Sequence, residues 1–219
     1  LVVTAASGEA LPVIEAKATS LKRPLYRQGQ EFSFFDTKLS QQGTTLSVRT
    51  GKDYYRHLQL PLLGRHQLSN AAVAVQAAEL LGVSESSIRA GLATVRWPAR
   101  LEFLAERTPQ ILLDGAHNCQ GMEALSTALT DLWPERRIVC LLGMLSDKER
   151  QKSLQLLLPH LSRGVVTRPP YLSRSEDWYL LADMCRAAGK EAVAIEDNRA
   201  ALDCALQTAQ DDDLLLVCG

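Results

Sequence analysis

Hydrophobic positions in the first third of the chain mostly alternate with polar ones. This alternation over residues 31–35 and 45–49, and a further apolar-rich run at 54–60, predict β-strands. A helical pattern over residues 10–19 precedes them. Residues 1–62 are therefore predicted to be β-rich.

From residue 69 onward the hydrophobic period becomes that of an α-helix. Ser69 is a predicted N-cap, and apolar residues at helical spacing continue to Gly82, a predicted C-terminal cap. Ser84 then begins a second predicted helix to about residue 95, and the two helices are expected to form a hairpin. Trp97-Pro98 ends the pattern, because a residue before proline avoids the helical conformation. We place a domain boundary here, giving domains 1–96 and 97–219.

After Arg100, short apolar runs alternate with amphipathic segments. The predicted strands are residues 111–114, 138–142, 164–167, 192–195 and 214–217. The predicted helices are residues 122–132, 149–161, 178–188 and 198–210. Continuous apolar strands between amphipathic helices indicate a mainly parallel sheet that is covered on both faces. The predicted fold class is therefore α/β, with a Rossmann-like carboxyl-terminal domain after a β-rich and helical segment, although the Gly-x-Gly-x-x-Gly fingerprint is absent from the sequence.

Composition narrows the class of protein and its partners. The 219 residues are 46% hydrophobic and carry a net charge of −1, which favours neither nucleic acid nor an anionic membrane as a partner. No apolar stretch is long enough to span a bilayer. The five cysteines are widely spread, so they predict neither a disulfide framework nor a metal site, and this fits a reducing, cytoplasmic compartment.

The run Asp114-Gly115-Ala116-His117-Asn118 follows the first strand of the predicted parallel sheet. Ligands bind beyond the carboxyl ends of such strands, where an acidic residue accepts hydrogen bonds from hydroxyl groups. The alternative is a plain strand-to-helix connection in which Asp114 or Asn118 caps the next helix. The run by itself favours this second interpretation slightly.

Three further motifs accompany this run, and their order is informative. They are Gly64-Arg65-His66-Gln67-Leu68-Ser69-Asn70-Ala71-Ala72, Trp97-Pro98-Ala99-Arg100-Leu101-Glu102 and Gly143-Met144-Leu145-Ser146-Asp147-Lys148. Together with residues 114–118, the ordered set resembles the folylpolyglutamate synthase/dihydrofolate synthase family, within the wider Mur ligase group. The resemblance covers the whole chain, so residues 1–96 correspond to the end of the family's central domain.

The resemblance implies an ATP-dependent amide ligase that adds L-glutamate to dihydropteroate or to folates. It implies an acyl-phosphate intermediate, with ATP, Mg²⁺, L-glutamate and the pterin substrate as ligands, and we expect a monomer. Family members are roughly twice as long and begin with a phosphate loop, whereas no Gly-x-x-x-x-Gly-Lys-Ser/Thr sequence occurs here. We therefore expect a fragment that is inactive alone and whose Mg²⁺ ligands lie in the absent part.

The resemblance also assigns three nucleotide contacts. Asn70 matches the residue that contacts the adenine base, Arg100 matches one that contacts phosphates, and Asp114 matches one that contacts ribose. The alternatives are a polar residue in the first turn of a helix for Asn70, and a linker cation paired with Glu102 for Arg100. The family usually has glycine where this chain has Ala99, so a positive φ there would strain the turn by roughly 1 kcal/mol.

The remaining candidate residues concern the amino-acid substrate. Arg100 and His117 are the candidate catalytic residues. His117 is expected to contact phosphate or the incoming amino acid; the alternative is that its side chain only hydrogen-bonds its own turn. Asn118, Lys148 and Ser173 are candidate substrate contacts; a solvated Asp147–Lys148 pair at a helix start is the alternative for Lys148.

Two other functions remain open from the sequence. One is a different Mur-type ligase, acting on cell-wall precursors or polyamino acids. The other is a non-catalytic nucleotide-binding module.

Overall fold

The structure, a computed structural model, describes residues 1–104 and 108–219, without the side chain of Leu172. The chain divides into two compact units, Leu1–Arg96 and Trp97–Gly219.

The first unit combines two small sheets with three helices. Strands β1 (Val2–Thr4) and β2 (Leu25–Arg27) pair in parallel on either side of helix α1 (Ala10–Ser20) in the chain. Strands β3 (Ser33–Ser40), β4 (Gly43–Arg49) and β5 (Tyr54–Leu60) form an antiparallel sheet. Their inward residues pack with helices α2 (His66–Leu80) and α3 (Glu85–Thr94) in one core that includes Phe32, Leu46, Leu58 and Val75. The strand predicted over 31–35 begins at Ser33 and runs to Ser40, and β1 and β2 were not predicted. The helices and the strands at 45–49 and 54–60 are confirmed, except at one helix start.

That exception is α2, which begins three residues before the predicted cap. Its N-cap is Arg65, which follows Gly64 at φ 95°, and Ser69 lies inside the helix, so the prediction for Ser69 was wrong. The Ser69 hydroxyl instead accepts a hydrogen bond from Gln28 Nε2 at 3.1 Å. Ser84 caps α3 as predicted, because its Oγ accepts a bond from the Ser87 amide.

The second unit is built on a six-stranded sheet. Strands β7 (Gln110–Leu113), β8 (Ile138–Leu142), β9 (Leu161–Thr167), β10 (Glu191–Ile195) and β11 (Leu214–Cys218) are parallel. The antiparallel strand β6 (Glu102–Leu104) completes the spatial order β10-β9-β8-β11-β7-β6. The predicted Rossmann-like fold is confirmed, while β6 was missed because three residues carry too little periodicity.

The helices of this unit are α4 (Cys119–Leu132), α5 (Arg150–Leu157), α6 (Leu180–Ala187) and α7 (Asn198–Thr208). Helices α4, α5 and α6 pack in a row, whereas α7 packs on β8, β9 and β10. Helix α7 connects the edge strand β10 to the central strand β11, so the chain here crosses the sheet in the reverse direction. A right-handed crossover in that direction places α7 on the face of the sheet opposite to α4, α5 and α6. Helix α5 ends before its predicted limit because Pro159 stops it, and Leu161 already belongs to β9.

Candidate functional site

A cleft of about 540 Å³ lies at the carboxyl edge of the parallel sheet. The segments that follow β7, β8 and β9 all reach it, because the carboxyl ends of parallel strands share one edge. Three of the predicted site residues, Asp114, His117 and Lys148, line this cleft. Sequence reasoning missed four other lining residues, namely Thr167, Arg168, Tyr171 and Asn198.

Asp114 follows β7 and is engaged by the main chain on both sides of its carboxylate. Oδ1 accepts a bond from the Ala116 amide at 2.9 Å, and Oδ2 accepts one from the Leu101 amide at 3.0 Å. The Asp114 amide itself donates to Val217 O of β11 at 3.0 Å. The carboxylate therefore joins the β7–α4 turn to the segment that contains Arg100.

Arg100 lies exposed between two residues with left-handed backbone. Ala99 has φ 53° and Leu101 has φ 47°, so the positive φ considered for Ala99 is present. Leu101 is buried at 3% exposure, which anchors the segment on one side of Arg100. The Ala99 amide donates to Glu102 Oε2 at 2.8 Å, so Glu102 holds the backbone here.

His117 is exposed and bonded to its own turn. Its Nδ1 lies 2.8 Å from Gly115 O. Since a carbonyl oxygen can only accept, Nδ1 carries the proton, and in the neutral imidazole Nε2 is left as an acceptor. An acceptor nitrogen at the edge of the cleft is suited to taking a proton from an amine.

Asn118 is the N-cap of α4. Its side-chain oxygen accepts a bond from the Gly121 amide at 2.8 Å. The capping alternative that the sequence left open is thus realised at Asn118. This bond occupies one acceptor position of the amide and leaves its NH₂ group outside the cap.

The segment after β8 brings Lys148 to the cleft and fixes its neighbours. Asp147 Oδ2 accepts a bond from Arg174 at 2.5 Å, and this contact lowers the pKa of the Asp147 carboxyl. The Ser146 amide donates to Arg174 O at 2.7 Å. Ser173, exposed in the short 3-10 turn Leu172–Arg174, is not among the residues that line the cleft.

Two arginines of this unit act as internal braces. The Arg150 guanidinium donates to the carbonyls of Met144, Leu145 and Glu176 at 2.7–3.1 Å, and burial lowers its pKa. Arg168 donates to the buried Ser175 hydroxyl at 3.2 Å and pairs with Glu196. Arg168 thereby connects the segment after β9 to the one after β10. Because β9 and β10 become neighbours only in the folded sheet, no sequence pattern could identify this contact.

Asn70 belongs to the first unit, where it is exposed on α2. Its Nδ2 donates to Gln67 Oε1 at 3.0 Å, while Gln67 Nε2 lies 3.0 Å from His66 Nε2. The Asn70 side-chain oxygen takes no part in this bond. The side chain is held in one orientation on the surface of the helix.

The described residues contain neither a metal-binding cluster nor a membrane-spanning helix. Residues 1–104 and 108–219 contain no group of three or more His, Cys, Asp or Glu side chains that could hold a metal ion. No helix within these ranges is long and apolar enough to cross a membrane. Cys140 and Cys218 lie 3.8 Å apart between β8 and β11 as free thiols.

Comparison with known proteins gives one family and consistent relatives. Residues 99–219 match the family described as Mur ligase, glutamate ligase domain. A dihydrofolate synthase/folylpolyglutamate synthase of Bacillus subtilis is 31% identical over 199 residues, which are 87% of this chain and 46% of that protein. The chain thus spans about half the length of this curated relative.

Solved structures resemble the chain over nearly all of its length. Folylpolyglutamate synthase of Mycobacterium tuberculosis, complexed with ADP, has a TM-score of 0.89 at 26% identity, covering 100% of this chain and 52% of its own. Escherichia coli FolC, in complex with DHPP and ADP, has a TM-score of 0.82 at 26% identity, covering 95% of this chain and 47% of its own.

Proposed function

This chain belongs to the family of Mur ligase glutamate ligase domains, and we propose that it is part of an ATP-dependent folate ligase. The reaction joins L-glutamate to dihydropteroate or to a folate in an amide bond. ATP first converts the pterin-linked carboxylate to an acyl phosphate and leaves as ADP. The glutamate amine then displaces phosphate. The observation that carries this proposal is the cleft at the sheet edge, with Asp114, His117 and Lys148 on its wall.

The nucleotide is assigned to three residues. In this proposal Asp114 contacts the ribose and Arg100 contacts the phosphates, where a guanidinium forms paired hydrogen bonds and stays charged. Asn70 contacts the adenine edge, for which an amide offers both a donor and an acceptor. The ADP complexes of the solved relatives support a nucleotide site in proteins of this kind.

The amino acid is assigned to the cleft. Lys148 offers a cation for a carboxylate, and His117 Nε2 accepts a proton from the glutamate ammonium or hydrogen-bonds the amine. The Asn118 side-chain NH₂ group, which is not used in capping α4, donates a hydrogen bond to the amino acid. The Ser173 hydroxyl contacts the amino acid from the neighbouring loop. His117 and Arg100 are the two residues proposed to touch reacting groups.

Mg²⁺ neutralises the phosphates in reactions of this class. The described residues do not fit a magnesium site, since residues 1–104 and 108–219 offer no suitable cluster. We propose that its ligands, together with a phosphate loop, lie outside the 219 residues, and that the chain alone does not turn over. The chain's own contribution is to bind and orient ATP and L-glutamate and to exclude water from the acyl phosphate.

Nucleotide binding is tested by calorimetric titration of ATP into this chain and into Asp114→Ala. Saturable binding that the variant loses supports a preformed nucleotide surface in this chain. Absence of binding in the wild type would contradict that surface.

The ligase activity requires a longer protein that contains the chain. Formation of ADP is measured with L-glutamate and, in turn, dihydropteroate, a folate and a muramyl precursor. We expect activity with the pterin substrates, and a strong loss in His117→Gln but not in His160→Gln, whose imidazole bonds Ser126 away from the cleft residues. Activity with the muramyl precursor alone would favour another Mur-type ligase, and turnover by the isolated chain would contradict the proposed division of the site.

A further inference from the structure

Residues 99–102, here called the strap, are held by hydrogen bonds on both sides of Arg100. On one side, Ala99 O accepts a bond from the Gly115 amide at 2.8 Å, and the Ala99 amide donates to Glu102 Oε2 at 2.8 Å. On the other side, the Leu101 amide donates to Asp114 Oδ2 at 3.0 Å. Both chain neighbours of Arg100 are thus held by hydrogen bonds.

The backbone of the strap is strained in a way that needs this support. Ala99 and Leu101 both have positive φ, at 53° and 47°, a region that costs an L-residue with a side chain free energy. Such conformations persist only where the surroundings over-determine them. Here the strained backbone is held by the buried Leu101 side chain and by the bonds to Gly115 and Asp114.

Asp114 is one of the groups that hold the strap, beside the Gly115 amide and the pairing of Glu102 with Leu113. Its Oδ1 holds the Ala116 amide, so the carboxylate is fixed within its own turn, and its own amide is bonded to β11. The bonds that hold the strap are made between groups of the protein itself.

We propose that Asp114 is a positioning residue for Arg100: its carboxylate fixes the strap so that the guanidinium is presented in one place to the phosphates. The inference rests on the proposed function, which takes Arg100 as the phosphate-binding cation. It adds a role for Asp114 that is independent of ribose. Preorganisation of this kind strengthens binding because the ordering of the segment is complete before the ligand arrives.

Nucleotides with and without ribose hydroxyls separate the two roles of Asp114. ATP and 2′,3′-dideoxy-ATP are titrated into the wild type, Asp114→Asn, Arg100→Ala and the double variant. Positioning predicts that Asp114→Asn weakens 2′,3′-dideoxy-ATP, which has no ribose hydroxyls, by about fivefold to tenfold for one lost hydrogen bond, while the proposed ribose contact adds a further loss for ATP alone. For 2′,3′-dideoxy-ATP it predicts no further loss from Asp114→Asn when Arg100 is already alanine. A loss confined to ATP, or equal losses of 2′,3′-dideoxy-ATP affinity with and without Arg100, would overturn the proposal.

A matched control is Asp213→Asn. Asp213 is a buried carboxylate that also holds the backbone, accepting from the Gln210 amide at 2.8 Å and pairing with Arg137 at 3.2 Å, but it precedes β11 at the opposite edge of the sheet. The Asp213→Asn substitution is expected to lower the free energy of unfolding and to leave the affinities for ATP and 2′,3′-dideoxy-ATP unchanged. Asp114→Glu, which keeps the charge but displaces it by one methylene, is the second variant if Asp114→Asn does not fold.

Amide hydrogen exchange tests the strap without any nucleotide. The Leu101 amide is expected to exchange about tenfold faster in Asp114→Asn than in the wild type, while Asp213→Asn leaves it unchanged. Unaltered protection of Leu101 in both Asp114 variants would overturn the proposal. A wild-type chain that binds neither nucleotide, yet shows the exchange difference, would count against the proposed function and not against the strap.

Discussion

Ala99 carries a backbone conformation that its side chain disfavours. A left-handed residue with a Cβ costs roughly 1–2 kcal/mol, whereas glycine adopts this region freely but loses about 0.5–1 kcal/mol more in conformational entropy on folding. The two effects nearly offset each other at this position. In a helix, where no strain is relieved, only the second effect remains.

Ala99→Gly is therefore expected to leave the free energy of unfolding unchanged or to raise it by up to about 1 kcal/mol. The comparison is Ala124→Gly inside α4, which should lower it by about 1 kcal/mol. Urea unfolding of both variants measures the difference. Equal destabilisation by the two substitutions would show that the strain at Ala99 has no energetic weight.

His160 makes the free energy of unfolding depend on pH. Burial lowers its pKa from the ordinary 6.5, and its Nε2 lies 2.8 Å from Ser126 Oγ. The unfolded chain takes up a proton as the pH falls below about 6.5, while the folded chain resists it, so the free energy of unfolding falls on acidification. Above that pH the contribution of the neutral imidazole is fully present.

His160→Gln is expected to remove this part of the pH dependence. Urea unfolding of the wild type and the variant at about pH 7.5 and pH 5.5 measures it, because only the wild type carries the additional loss on acidification. The same slope in both proteins would contradict a depressed pKa for His160.

At the scale of elements, α4 begins at the candidate site and depends on one side chain for its start. Asn118 Oδ1 satisfies the Gly121 amide, one of the donors that the first turn of a helix leaves open. Asn118 directly follows His117 of the cleft wall, so the start of the helix adjoins the cleft. A substitution at Asn118 changes stability as well as any contact with substrate.

Asn118→Ala is expected to lower the free energy of unfolding by about 1 kcal/mol, and Asn118→Asp to restore it, since a carboxylate caps equally well. Thermal unfolding of the two variants provides the measurement. If Asn118→Asp is as unstable as Asn118→Ala, the capping oxygen is not the source of the stability.

At the scale of the whole molecule, the described residues include a separate hydrophobic core in each unit. One contains Leu46 and the other contains Leu215, both with no exposed side-chain surface. Each core is made by residues of its own unit. Loss of packing in one core should therefore be felt within that unit.

Leu46→Ala and Leu215→Ala are each expected to cost about 2–5 kcal/mol, as large-to-small changes in a core do. Amide exchange, resolved by residue, should show the loss in residues 1–96 for the first variant and in residues 97–219 for the second. If each variant accelerates exchange equally throughout the chain, the two units unfold as one, contrary to the predicted domains.

Much of the fold followed from periodicity, because buried strands and amphipathic helices carry strong local signals. The five parallel strands were predicted within a few residues, and Ser84 was identified as a cap because a cap acts on its own helix. The start of α2 was wrong, since the Gly64 turn and the pairing of Gln28 with Ser69 decide it. In the site, the positions of Asp114, His117 and Lys148 at the cleft followed from the shared edge of parallel strands, and their roles stay predictions.

The sequence by itself determined the fold class, the order of the elements and the segments that meet at the cleft, because these depend on residue spacing along the chain. Only the tertiary structure decided which groups those residues contact. The bond from Leu101 to Asp114 and the brace from Arg168 to Glu196 join residues 13 and 28 positions apart. Such partners are set by strand order and packing, which no local pattern encodes.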